Sequence, residues 1–505
     1  MRIRPTLLAI LAVSVSLLPA AAARADSNFE FFGAGFGHGL GMSQWGAYGL
    51  AQRGWSHEQI LTHYYSGTSV VVWAKKQPSV RVGLTQGRQT IHVEARGGPV
   101  SVTLGKSGAT IGSIPGGETW TFGSSQNAYR VLDEHGAPVG GQLWGGESEN
   151  LVISFAAGSR AFVPEALHAF AHGRLEFNLS GCSACRLRLI AVVPMEQYLY
   201  GLAEVSSSWP MEAMEAQADA ARTYALRRIL TYGQHRPTCN CGLYATTADQ
   251  AYAGWDKEFG LMGDRWVQAV DATAGEVVEY GGQPIQAFYT ASSGGYTENN
   301  ENVWGGTPLP YLRGVCDPGD YVPENSSRTW TLTFTAASLT SRLHAYTGDI
   351  GTITGFEQAS RGVSGRIIDV TVVGTSGFHA VSARSSRPRS GSATTGSGSA
   401  TTGRLPGGSA RATTTRCARR GWPRAPPGPS PEGAASASST ARSTTATPRR
   451  RPCGSTGVCT TTTGRSTDPE ALRASPPPAS RVAEGRAMRA SSTERSPAPR
   501  VAAAR

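Results

Sequence analysis

Glu204 stands in a loop of small residues, AEVSSSWP, between an unbroken apolar run, Leu189 to Val193, and a stretch from Pro210 onward with alanine at helical spacing. A carboxyl group flanked by rigid elements and partly withdrawn from water has its pKa pushed toward neutrality, so it can give up and retake a proton. No second Asp or Glu has the spacing to partner it in the two-carboxylate manner of ordinary glycosidases. Glu196, Glu212 and Glu215 have a plainer explanation as solvated charges, the last two favoured by the dipole of the helix they open.

The other reactive types carry less. His38, His57 and His63 lack carboxylate or Cys partners at ligand spacing, so no metal site is read there and no cofactor is expected. Alternating glycines from Gly33 to Gly41 are not followed by Lys-Ser/Thr, which excludes a phosphate loop. Ser292 and Ser293, in the run SSGGYT, have no recognisable His and acid to activate a nucleophile. With Thr297 they read as a polar loop that could offer hydroxyls and amides to a sugar. Cys182 and Cys185 could close a small loop, and Cys316 is left over. For His235, Cys239 and Cys241 both a disulfide and a tight, three-ligand zinc site stay open.

These residues need particular elements to hold them. Leu189 to Val193 reads as a strand buried on both faces, stopped by Pro194, with room for two helical turns from Met195 to Leu202. Pro210 suits the first position of the next helix. There Ala213, Ala216, Ala220 and Tyr224 form a stripe nearly bare of side chain, which invites a close neighbour. In the glycine-rich stretch, Met42 to Arg53 reads as a helix, and Ser56 with Gln59 as the capping box of the next. From Ser79 to about Phe177, short alternating runs between glycine-rich turns predict antiparallel strands, a platform without chemistry of its own.

The stretch around Glu204 resembles the SpoIID/LytB family of bacterial cell-wall proteins: EQYLYG at Glu196 to Gly201, Glu204 itself, Trp209-Pro210, and EAMEAQADAARTYA at Glu212 to Ala225. Where that family usually has Glu-Met-Pro, this chain has Glu204, Val205 and Ser206. A second segment, GHGLGMSQWGA followed by ILTHYYSGT, is also similar to the family, although it precedes the catalytic stretch here and follows it in the commoner order. Further matches run through LYATTADQAYAGW and the stretch ending YTASSGGYT, so the similarity spans about Phe31 to Gly377. The resemblance implies lytic transglycosylation of peptidoglycan glycan with Glu204 as sole acid and base. It nominates Gln217, Tyr252, Tyr289, Ser292, Ser293, His38, Ser43 and Gln44 as substrate-binding residues. It also implies a rival reading, a non-catalytic wall-binding protein that stimulates a cell-wall amidase, and some members carry a Cys/His metal site near His235. A carbohydrate-binding module alone is the weakest reading, since the acid-bearing segment is present.

The charge of +11 would ordinarily point to a polyanion. From His379 to Arg505, however, 21 Arg and 5 Asp plus Glu give +16, so the remainder carries 11 − 16 = −5. Nucleic acid is therefore not an expected partner; sugar would be bound by aromatic stacking, for which Trp45, Trp209, Trp255 and Trp304 are available. The expected class is α+β. Residues 1–25 read as an export signal that leaves no membrane anchor, 26–70 as a glycine-rich segment that docks on the catalytic domain as a separable unit, with Gly33 to Gln44 against its cleft, and 71–178 as a β-rich domain. Residues 179–377 read as the catalytic domain built round a strand, loop and helix, and 378–505 as a disordered tail. The protein is expected outside the cytoplasmic membrane. The tail is also compatible with a shifted reading frame: Arg389 to Gly398 can be written in codons that, read two bases later, give LGLRDDWFR, close to the family's ending.

Overall fold

The computed structural model describes residues 28–141, 143–181 and 185–382. The readings made on the export signal, on Cys182 and on the tail beyond Ser382, with Cys417, Cys453 and Cys459, lie outside the described residues. Sheet and helix are mixed, as an α+β class requires.

The alternating runs form two sheets. In the seven-stranded one the order is Leu243–Tyr244, Val80–Arg88, Arg186–Val193, Arg174–Ser180, Leu151–Phe155, Val100–Leu104 and Thr110–Ile114. All neighbours are antiparallel except Leu243–Tyr244, which joins Val80–Arg88 in parallel. The five-stranded sheet runs His168–Phe170, Arg160–Val163, Thr90–Arg96, Thr119–Ser125 and Ala128–Leu132. Their apolar faces share one core, in which Phe122 stacks on Phe177 at 4.6 Å. The apolar run Leu189 to Val193 is buried throughout, and this corrects the expected domain boundary. Such a strand needs partners at both edges, and it finds them in Val80–Arg88 and Arg174–Ser180. The division at residue 178 thus cuts through the strand Arg174–Ser180, and the platform and the stretch around Glu204 form one body.

Four helices organise the rest: α1 (Gln44–Ala51), α2 (His57–Tyr64), α3 (Met195–Tyr200) and α4 (Met211–Tyr232). The capping box of α2 forms between Ser56 and Gln59. Pro210 is the N-cap of α4, one place earlier than expected, because its ψ of 143° is still extended. Helix α4 is buried on two faces. Met214, Ala218, Ala221 and Ala225 join the sheet core, while Ala213, Ala216 and Ala220 join a second core with Leu50, Ile60, Leu61 and Tyr64 from α1 and α2. The bare stripe is what lets the glycine-rich segment come so close.

That segment lies against the stretch around Glu204, as the docking reading has it, but as an integral part of the fold, which corrects its reading as a separable unit. Met42, Leu50, Ile60, Leu61, Tyr64 and Tyr65 are all at most 1% exposed. Met42–Ser43 pairs in parallel with Tyr289–Thr290. Just before it, Gly41 has φ +65°, and a Cβ there would stand 2.0 Å from the Phe288 carbonyl oxygen, so only glycine fits.

A third, small core gathers the two ends of the described chain. Asn28–Gly33 pairs antiparallel with Trp330–Thr335, and Ile353–Arg361, Ile367–Gly374 and Gly377–Ser382 form a three-stranded sheet. Phe29, Phe31, Phe334, Phe356 and Val381 pack there round Leu339, Ile353 and Val372. The strand pairing therefore continues past Gly377, where the tail was expected to start. Among the described residues no helix is long and apolar enough to cross a membrane.

Candidate active site

Glu204 is presented by a turn that the chain closes tightly. After α3, Gly201 lies so near the 250–254 stretch that a Cβ would meet the Tyr252 ring at 2.5 Å and Gly254 Cα at 2.8 Å. Leu202 then bridges Tyr252, and the Ala203 amide donates to the Ala251 carbonyl at 2.9 Å. The Ala251 amide returns the contact, donating to Glu204 Oε1 at 2.6 Å. Beyond Glu204, two cations clamp the loop by its carbonyls. Lys257, on α5 (Trp255–Glu258), donates to Val205 O at 2.6 Å. Arg265, on α6 (Gly263–Ala272), donates to Ser207 O at 2.8 Å and Trp209 O at 3.0 Å. Burial lowers the Lys257 pKa to about 8.

Burial dominates the electrostatics of Glu204 and raises its pKa above the usual carboxylate value; the Ala251 amide, the Tyr289 hydroxyl and the Gln44 amide oppose the rise by favouring the charged form. A hydrogen-bonded chain orients the phenol. Tyr198 OH donates to Gln250 Oε1 at 2.9 Å, and Gln250 Nε2 donates to Tyr289 OH at 2.9 Å, which leaves the Tyr289 proton free to point at the carboxylate. From the glycine-rich segment, Gln44 Nε2 reaches Gln217 Oε1 at 3.2 Å and the Glu204 carbonyl at 3.5 Å. Trp45, next to Gln44, packs on Trp209 at 4.9 Å, and Tyr48 on Trp209 at 5.2 Å, so three half-buried aromatic rings adjoin the loop.

The structure thus brings together Glu204, Gln44, Gln217 and Tyr289 of the residues expected at the site. It does not bring the others. Tyr252 is 5% exposed, stacked on Tyr198 at 5.3 Å and on Phe170 at 6.0 Å, and serves as packing. Ser43, Ser292 and Ser293 are buried round two acids that were not singled out: Ser43 donates to Asp320 at 3.0 Å, Ser292 to Asp320 at 2.8 Å and Ser293 to Asp317 at 2.6 Å. Tyr64 OH donates to Asp317 at 2.7 Å. Burial raises both carboxyl pKa values while these donors oppose it. The serine hydroxyls are spent on this network, which fastens α1 to the 292–320 loops. His38 lies 5.0 Å from the Trp304 ring, which in turn meets Phe288 at 4.5 Å.

Cys239 and Cys241 form a disulfide, and His235 Nδ1 faces Asn240 Oδ1 at 2.7 Å. Cys316, left over in the sequence reading, is disulfide-bonded too. Trp255 lines a surface cavity of about 440 Å³ with Arg160, His172 and Gln197, which shares no residue with the Glu204 set. Lys257, Arg265, Gln250 and Tyr198 escaped the sequence reading as members of the site. For Gln250 the signal was present, inside the quoted TTADQAY run.

The sequence model of the Stage II sporulation protein family, SpoIID, matches residues 183–280. Stage II sporulation protein D of Bacillus subtilis is 30% identical over 175 residues, which are 32% of this chain and 50% of that protein. The amidase enhancer of Bacillus subtilis is 36% identical over 139 residues, 28% of this chain and 17% of that protein. An uncharacterized protein of Brachyspira hyodysenteriae is 42% identical over 123 residues, 24% of this chain and 31% of its own length. The chain therefore spans half or less of the length of these relatives. No solved structure matches it significantly. Through the segment that holds Glu204 and its turn, the chain is thus similar to the SpoIID/LytB family.

Proposed function

We propose that this protein cleaves the glycan strands of peptidoglycan by lytic transglycosylation, with Glu204 as its one acid and base. The observation that carries the reading is the setting of that carboxyl. It is raised in pKa by burial and held by an amide N–H, a phenol and a carboxamide, none of them a second carboxylate. The protonated acid gives its proton to the glycosidic oxygen as the bond to C1 breaks. The resulting carboxylate takes the proton of the muramic acid C6 hydroxyl as that oxygen closes onto C1. The acid is restored, no water is consumed, and a 1,6-anhydro end is left.

Trp45, Tyr48 and Trp209 offer stacking surface beside this acid, and Gln217, whose Nε2 has no hydrogen-bond partner, holds a spare donor close to it. The substrate is outside the cytoplasmic membrane, where an export signal at residues 1–25 would deliver the chain. Purified glycan strands, offered with and without stem peptides, test the reading by mass spectrometry. Wild type should release anhydromuramic ends, and Glu204→Gln should lose on the order of 10²–10⁴-fold in rate while keeping its fold. Equal product from the variant would remove Glu204 from its role. The similarity to an amidase enhancer supports a second reading. In that case neither protein yields anhydro ends, and both accelerate an added cell-wall amidase.

A further inference from the structure

His57 opens α2, and two other parts of the chain set four carboxylates round its ring. On one side Nδ1 lies 3.3 Å from Glu212 Oε2 and 3.3 Å from Glu215 Oε2. On the other side Nε2 lies 3.2 Å from Glu276 Oε2 and 3.9 Å from Asp219 Oδ2. Glu212, Glu215 and Asp219 share one face of α4 at intervals of three and four residues, and Glu276 begins the strand Glu276–Tyr280. The nearest atoms of His57, Asp219 and Glu276 all fall within 4.8 Å of one another.

A separate observation points into the middle of this group. Asp219 is fully buried; its Oδ1 accepts from Arg222 at 2.7 Å, but Oδ2, the oxygen facing His57, has no hydrogen-bond partner. A buried carboxylate oxygen left so is costly. Arg222 also binds Glu196, at 2.7 Å. One guanidinium thus answers five carboxylates, Glu196, Glu212, Glu215, Asp219 and Glu276, and a strong negative surplus stays round the imidazole.

We propose that His57 Nε2, Asp219 Oδ2 and a Glu276 carboxylate oxygen form a binding site for one divalent first-row transition cation, with Glu212 and Glu215 holding the ring from behind. Bonds of about 2.0–2.2 Å to one centre set neighbouring ligands roughly 3–4 Å apart, the spacing of His57 Nε2 from each of the two carboxylates. A proton on Nδ1 donated to Glu212 or Glu215 leaves the Nε2 lone pair facing Asp219 and Glu276, the usual way an outer carboxylate fixes a ligating histidine. One imidazole nitrogen with two carboxylate oxygens suits Zn²⁺ or Mn²⁺, whereas Ca²⁺ takes six to eight oxygens. Glu212 and Glu276 are partly exposed, which gives the ion an entry path. Bound there, it would tie α2, α4 and the strand from Glu276 together. The neighbours of His57 along the chain offer no ligands; the carboxylates arrive from more than 150 residues away.

The test uses the full chain, stripped with chelator and titrated separately with Zn²⁺ and Mn²⁺. Bound metal is counted by mass spectrometry after gel filtration, and unfolding temperature is followed alongside. The proposal expects one equivalent of metal bound at this site and a raised unfolding temperature. Binding should be weakened at least about tenfold by Asp219→Asn and by Glu276→Gln, and unchanged in His235→Ala. Glu276→Gln, on a partly exposed strand end, serves if the buried Asp219 variant does not fold; circular dichroism checks both. Binding lost only in His235→Ala would place the metal at the Cys239–Cys241 loop and overturn the proposal. So would a chain that binds neither ion, its His57 then holding only a second proton.

Discussion

Glu204 is an acid kept where an acid is uncomfortable. Because burial raises its pKa, the folded protein favours the protonated form more than the unfolded chain does. Its contribution to stability is therefore intact below the unfolded value, near the ordinary carboxylate pKa, and is lost as pH rises from there through the higher folded value. Glutamine carries no charge to bury. Glu204→Gln should consequently unfold at a higher temperature than wild type at pH 7, with the gap closing as pH is lowered through that window. Thermal melts across pH decide it; a variant less stable than wild type at pH 7 would mean that the ionised form is well solvated. At this scale the sequence singled out the carboxyl but not the groups that hold it. Lys257 and Arg265 hold the loop through backbone carbonyls, which leave no trace in residue type. Ser292 and Ser293 misled because a polar, glycine-rich loop looks the same whether its hydroxyls face a sugar or a buried aspartate.

Helix α4 shows what small side chains do for a fold. Its exposed-looking alternation of Ala with Glu, Gln and Asp suggested one close neighbour, and the helix has two, since its alanines line both the sheet core and the core shared with α1 and α2. Gln44 and Gln217 meet across that second contact. Ala220→Leu should therefore cost about 1–3 kcal/mol in chemical denaturation by overpacking. By moving α1 it should also lower glycan cleavage more than it lowers stability-matched variants altered in the sheet core. Normal activity in a destabilised Ala220→Leu protein would show that Gln44 can shift without harm. Caps and the buried strand were legible because they are written in consecutive residues. The pairing of Met42–Ser43 with Tyr289–Thr290 was not, since two-residue strands have no period to read.

For the whole molecule, the expected division into a glycine-rich unit, a platform and a catalytic domain gives way to cores that each draw on distant parts of the chain. Residues 28–72 supply α1 and α2 to one core and Phe29 and Phe31 to another. Their removal would uncover the face of α4 that carries Ala213, Ala216 and Ala220, and would open the small terminal core. The ribbon of Asn28–Gly33 with Trp330–Thr335 has a further consequence. Phe29, at its start, packs in the same small core as Val381, near the end of the last described strand. The path of the chain through this body is thus close to a closed ring, and where the ring is opened becomes a matter of indifference to the packing. A circular permutant joined by a flexible linker from Ser382 to Asn28, and opened in the exposed turn at Lys75–Lys76, should fold with the circular dichroism and glycan cleavage of the original order. It would carry the GHGLGMSQ segment after the one that holds Glu204. Failure of the permutant to fold would mean that the order of the two motifs is fixed by folding and not only by history.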